Sequence, residues 1–202
     1  MLAPHAGGKF PSPLRIFGLK GERTATLRYC EGCLAEWIGK HQTPYWRIDH
    51  QLAGVYCCVK HACILKSVKR VRSERYFDQT VLRLVGTSDE VILQRVTPSE
   101  QRAIEDIARR SGLQRAEDRI CRSTKMYRDL LREAGFVQKN SRIKHDATIS
   151  AWFDYFGQEY CHVTNMTAGR VSKWLDRLSE HSVRAACPHP FMFIAGESFL
   201  EH

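Results

Sequence analysis

From Thr97 to Ser179, apolar residues recur at helical spacing. Ala103, Ile104, Ile107 and Ala108 share one face of such a helix. Met126, Tyr127, Leu130 and Leu131 share a second; Ile149, Trp152, Phe153 and Phe156 a third; Val171, Trp174, Leu175 and Leu178 a fourth. Each set fits the 3.6-residue period of an amphipathic helix. Thr97-Pro98-Ser99-Glu100 is a capping box with proline at the first helical position, and Gly112 predicts the stop. The next helices are predicted over about Ser123 to Gly135, Asp146 to Gly157 and Thr167 to Ser179. Short helices joined by brief links bury their stripes only against one another. Residues 98–199 are therefore expected to form a helical domain, and a helix-turn-helix fits within it.

Upstream the pattern loses this period. Residues 1–13 hold three prolines and two glycines and read as an irregular lead-in. Residues 14–66 carry scattered apolar positions, with core candidates Leu14, Ile16, Tyr29, Leu34, Trp37, Tyr45, Trp46, Leu52, Val55 and Ile64. Tyr45 and Trp46 are expected to pack inward. Residues 67–97 read as a connector, and between 76 and 96 the apolar runs suit short strands or helix turns equally. Leu200-Glu201-His202 reads as the remnant of an expression tag, and the abrupt ends suggest a fragment of a longer protein. The expected fold is mostly α: a small zinc knuckle or ribbon module followed by a helix-turn-helix-like bundle.

Cysteine spacing sharpens the picture of 14–66. Cys30-Glu-Gly-Cys33 is a C-x2-C pair and Cys58-Val-Lys-His61 a C-x2-H pair, with 24 residues between them. A two-residue gap lets one tight turn aim two side chains at a single ion, and a second such turn completes a tetrahedron. Cys30, Cys33, Cys58 and His61 are thus the expected ligands of one structural Zn2+. Adjacent Cys57 and nearby Cys63 leave the third ligand less fixed, but only Cys58 has the two-residue spacing to His61, and Cys63, like Cys121, Cys161 and Cys187, reads most simply as a core or surface thiol; His41 and His50 are the further rivals. Four protein ligands leave no position for an activated water, which makes the site structural. Nothing here points to an enzyme: there is no P-loop, no H-E-x-x-H and no deaminase signature, and Asp78, Asp89, Asp106 and Asp118 form no acidic triad.

Charge adds a partner class. Lys plus Arg number 31 against 22 Asp plus Glu, for a formal charge of +9. Such an excess suits a polyanion, above all double-stranded DNA. Lys66, Lys69, Arg70 and Arg72 crowd one stretch, Lys139, Arg142 and Lys144 another, and Arg170 and Lys173 a third. All nine are candidate DNA contacts, and the helix over 146–156 or that over 168–179 is the candidate groove reader. No run of 18 apolar residues is present, so no membrane span is expected, and the N-terminus lacks the apolar core of a signal peptide.

The stretch Arg28-Tyr-Cys30-Glu-Gly-Cys33-Leu, then Tyr45-Trp-Arg47 and His50-Gln-Leu-Ala-Gly-Val55, then Cys58-Val-Lys-His61 resembles the TniQ/TnsD family of transposon target-site selectors. Ala53 stands where that family usually carries proline, and Val59 where proline is commoner. Tyr127 to Gly135 and Trp174 to Leu178 resemble its later helices, and His189-Pro190 resembles a His-Pro that precedes an aliphatic helix. The resemblance implies a bacterial, cytoplasmic, nucleoid-associated protein that binds a chosen chromosomal site. It implies partners in the transposon's AAA+ ATPase regulator and other transposition proteins. The other role found in that family is an adaptor that couples a CRISPR guide-RNA effector complex to the regulator without reading bases.

Overall fold

The computed structural model describes residues 26–69, 89–117, 123–179 and 188–202. Among them the chain is mostly helical, with a small Cys/His-rich module of short antiparallel strands. Strand β1 (Thr26–Tyr29) pairs antiparallel with β4 (Lys66–Lys69), with Thr26 opposite Lys69 and Tyr29 opposite Lys66. The far edge of β4 pairs with β5 (Asp89–Glu90). Between β1 and β4 lie α1 (Glu31–Gly39), α2 (Ile48–Gln51) and a hairpin of β2 (Cys57–Cys58) and β3 (Cys63–Ile64). The module thus extends into the basic stretch after residue 66, because β4 is the strand that closes β1.

Six further helices follow among the described residues: α3 (Pro98–Glu117), α4 (Thr124–Glu133), α5 (His145–Phe156), α6 (Gln158–Thr164), α7 (Ala168–Leu178) and α8 (Pro190–Leu200). The capping box at α3 forms as its sequence dictates. Thr97 Oγ1 accepts from Glu100 N at 3.3 Å, and Thr97 N donates to Glu100 Oε2 at 2.7 Å. The helix nevertheless runs through Gly112 to Glu117. One interior glycine costs only about 1 kcal/mol relative to alanine, and nothing else there breaks the helix. Met126 differs too: it is 49% exposed, while Tyr127 and Leu131 carry the buried stripe of α4.

The module and the helices share one apolar core. Val55, Tyr56, Cys57 and Leu65 belong to the same buried cluster as Ile104, Ile107, Leu131, Trp152, Trp174 and Phe191. The Trp152 and Trp174 rings lie 5.4 Å apart at the centre of the bundle. A smaller cluster of Tyr29, Leu34 and Val68 sits under the β1–β4 sheet, with Trp46 half-buried against it. Tyr45, expected to pack inward, is 58% exposed, its ring tilted against that of Trp37 with centroids 4.6 Å apart.

Two close approaches tie the parts together. Gly54 has φ +71°, and a Cβ placed on it would meet Cε2 of Phe191 at 2.0 Å. The Tyr160 hydroxyl donates to Gly54 O at 2.6 Å. Helix α8 also closes on α3 through ions: Arg110 reaches Glu201 at 2.8 Å and Glu197 at 3.6 Å, and pairs with Asp106 on its own helix. Glu201 and His202 therefore take part in the packing, with the His202 ring 4.4 Å from that of Tyr155. Among the described residues no helix is long and apolar enough to cross a membrane.

Candidate metal centre

Cys30 directly follows β1 and caps α1, its sulfur accepting from Cys33 N at 3.5 Å. That cap is the first knuckle: the helix start turns Cys33 back toward Cys30. The second knuckle is the β2–β3 hairpin, which offers Cys58 from its first strand and His61 from its turn. The donor atoms of Cys30, Cys33, Cys58 and His61 all lie within 4.8 Å of one another. His61 Nδ1 stands 3.3 Å from the sulfur of Cys30, 3.5 Å from that of Cys33 and 3.7 Å from that of Cys58, and the Cys33 and Cys58 sulfurs are 3.8 Å apart.

These separations test the fit. A tetrahedral ion with bonds of about 2.3 Å to sulfur and about 2.0 Å to nitrogen holds two sulfurs about 3.8 Å apart and a sulfur and a nitrogen about 3.5 Å apart. The three sulfur-to-nitrogen separations and the Cys33–Cys58 separation already stand near those spacings, and the four side chains could hold a metal ion. Gly32 completes the cradle, since a Cβ there would lie 2.8 Å from the His61 ring. Of the rival donors, His41 is exposed and outside the cluster, Cys57 turns into the shared core, and His50 is buried away from it. Cys63 stands beside the cluster.

Burial, then the neighbouring Cys58 and Cys30, push the Cys33 thiol up to about 12. Without a cation, three thiolates at this spot would repel one another in a poorly solvated pocket. Ion entry and thiol deprotonation are therefore one event, and binding releases protons.

Sequence reasoning missed Glu36. Its Oε1 lies 3.1 Å from His61 Nε2, and its other oxygen pairs with Lys60. A carboxylate on the far ring nitrogen selects the tautomer that frees Nδ1 for the ion and fixes the ring plane. The spacing was available as a signal, because Glu36 stands one helical turn after Cys33 on the same side of α1. Glu36→Gln is expected to weaken metal binding by about 10- to 100-fold while leaving the fold intact. Competition against a chromophoric chelator measures this; an unchanged affinity would remove Glu36 from the centre.

Arg28 was also missed, although it opens the Arg-Tyr-Cys triplet. It is 5% exposed, donates to His50 O at 2.8 Å and Leu52 O at 2.9 Å, and lies over the Tyr56 ring at 4.5 Å. Gln51 grips the Arg28 backbone in return, at 3.0 Å and 2.6 Å. So Arg28 and the His50-Gln51-Leu52 stretch lock α2 onto β1 and hold the first knuckle still. His50 sits within this lock, and burial, then the nearby Arg47 guanidinium, hold its imidazole down at about 4. An unfolded histidine titrates near about 6.5, so between there and about 4 the unfolded chain binds the extra proton. Stability from this group is thus present above about pH 6.5 and falls as the pH drops toward 4, by up to about 3 kcal/mol. An NMR titration should find the His50 ring neutral at pH 5; a midpoint near 6.5 would contradict its burial.

Residues 15–65 match the TniQ family. The match spans both knuckles and the Arg28–Gln51 lock. No curated protein and no solved structure matches the chain. The TniQ match suggests a transposition-associated protein, and the Cys/His cluster within the matched residues could hold a metal ion.

The candidate DNA contacts fall in three places. Lys66, on β4, pairs with Glu31, and Lys69 stands opposite Thr26 on the same strand. Arg70 and Arg72 lie outside the described residues. Lys139 and Arg142 are exposed on the turn closed by the Val137–Ile143 bridge, and exposed Lys144 donates to Gly135 O at 2.9 Å. Lys173 is exposed on α7, while Arg170 is half-buried and donates to Asn165 O at 3.0 Å. The last two groups adjoin: His145, next to Lys144, sits 3.3 Å from Ser172 and 3.7 Å from Asp176 on α7.

Proposed function

We propose that the chain is a target-site selector for transposition, in which a zinc-organised TniQ module is fused to a DNA-reading helix-turn-helix. The TniQ match carries the transposition role. Zinc is the ion whose ligand preference and spacing suit three thiolates and one imidazole in a closed tetrahedral shell. It would be held by Cys30, Cys33, Cys58 and His61, and its contribution is structural. Residues outside the shell set its rigidity: Glu36 orients His61, and Arg28 braces the strand that leads into Cys30.

The reading element is assigned to α6, the Asn165–Thr167 turn and α7. Asn165 takes the left-handed conformation (φ 57°), which turns the chain sharply between two helices. Helix α5 packs on both. The exposed face of α5 carries Asp146 and Asp154 and would repel phosphate, whereas α7 presents Lys173 with Arg170 and Arg177 beside it against the one acid Asp176. The 139–144 turn, against the same helix, is placed to meet the backbone. Partners in this reading are double-stranded DNA, the AAA+ ATPase regulator and other transposition proteins.

Binding to a pool of host-genome fragments, titrated across salt, tests it. A selector enriches one sequence class by about 10³ or more over bulk DNA. Lys139→Ala, Arg142→Ala and Lys144→Ala should then weaken binding evenly across sequences and each lower the salt slope by about 1. Lys173→Ala should cost about 1–3 kcal/mol and relax the preference at one position. Binding that salt abolishes equally for every fragment would sink the selector and favour the adaptor that takes its address from a guide-RNA complex.

A further inference from the structure

A fifth donor, Cys63, stands beside the four that converge on the metal centre. Cys63 stands directly opposite Cys58 in the β2–β3 ladder, so the two side chains share a face of the hairpin. Its sulfur lies 3.5 Å from that of Cys30, close to the spacing of two sulfurs on one ion. Between His61 and Cys63 the single residue Ala62 takes a left-handed φ of 46°. A non-glycine residue adopts that conformation at a cost, and here it lies in the turn that joins His61 to Cys63. Cys63 is half-buried, so it is neither lost in the core nor fully in water.

The four-ligand shell also has an unequal member. His61 is about a quarter exposed, and its brace Glu36 is shared with the exposed Lys60. Cys30, Cys33 and Cys58 are each buried. The imidazole is therefore the ligand with the most freedom to leave.

We infer that Cys63 is a reserve ligand that replaces His61 and converts the shell from three sulfurs and a nitrogen to four sulfurs. In the exchange the His61 Nδ1–metal bond breaks and the Cys63 Sγ–metal bond forms, the thiol proton passing to water. No electron moves. The centre keeps its coordination number and changes its net charge by one negative unit, while His61, Glu36 and Lys60 are released as a group from the ion. This rests on the metal reading of the site, though not on its role in DNA recognition.

The test uses the full chain loaded with Co2+ as a spectroscopic probe, and with Zn2+ for release rates. Wild type should bind one Co2+ with a tetrahedral spectrum. His61→Ala should retain the ion, with thiolate-to-cobalt absorption stronger by about one third in proportion to the thiolate count. His61→Ala/Cys63→Ser should lose it. Identical spectra and affinities for the single and double variants would overturn the inference. Should the His61 variants fail to fold, Cys63→Ser alone decides. Without the reserve, zinc transfer to a chelator should quicken about tenfold, and an unchanged rate would overturn it. A wild type that binds no cobalt would instead remove the metal centre itself.

Discussion

Stripping the metal, or replacing Cys33 with serine, lowers the melting temperature of the whole chain by about 20 °C or more. The magnitude follows from two scales. Metal binding supplies about 10–16 kcal/mol in isolated zinc-finger peptides at neutral pH. In a chain of this size each kcal/mol shifts the melting point by about 2–4 °C. The effect spreads because the knuckle is not a separate bead. Cys57, Val55 and Leu65, on and beside the hairpin that carries Cys58 and His61, are packed into the core of the helical bundle. Opening the knuckle frees that hairpin and exposes the face of α3 beneath it. Calorimetry with and without a strong chelator is the measurement, and a single transition moved to lower temperature is the expected trace. Two transitions, only one of them metal-dependent, would show that the module melts alone.

The contact between Gly54 and Phe191 sets the second large effect. Phe191→Ala removes a ring that is 1% exposed and should cost about 3–5 kcal/mol. Gly54→Ala should cost about 2–5 kcal/mol, from the left-handed backbone and from driving a methyl group into that ring. The pair should not add. With the ring gone the methyl group has space, so the double variant should be milder than the sum by about 1–3 kcal/mol. Denaturant unfolding of the four proteins measures this. Strict additivity would mean that the loop and α8 do not press on one another.

These two effects separate what was legible in the sequence from what was not. The ligand pairs were legible because each lies within one knuckle, where spacing alone fixes reach. Helices α4, α5 and α7 were legible because each has a long apolar stripe, to which α4 adds a side-chain cap from Ser123. Helix α6 was not: its seven residues follow α5 with only Gly157 between, and so short a segment shows no period of its own. Helix α8 was signalled only by His189-Pro190, because Phe191 to Phe199 is apolar on nearly every side and has no stripe. Met126 was misplaced because one turn of α4 offers two adjacent apolar residues and only the packing decides between them. Glu36, Arg28 and the seat of Gly54 on Phe191 act across segments far apart in the chain, and no local pattern announces them.

The grip on Gly54 has a consequence for how the protein is made. Tyr160, which holds that turn, lies 106 residues further along the chain. At about 5–20 residues per second, a ribosome needs about 5–20 s to reach it. Through that interval both knuckles have already been synthesised and are free to capture an ion, while the apolar side of the 52–57 loop waits uncovered. Metal capture during synthesis would thus hold the nascent module in shape until the helices that cover it arrive.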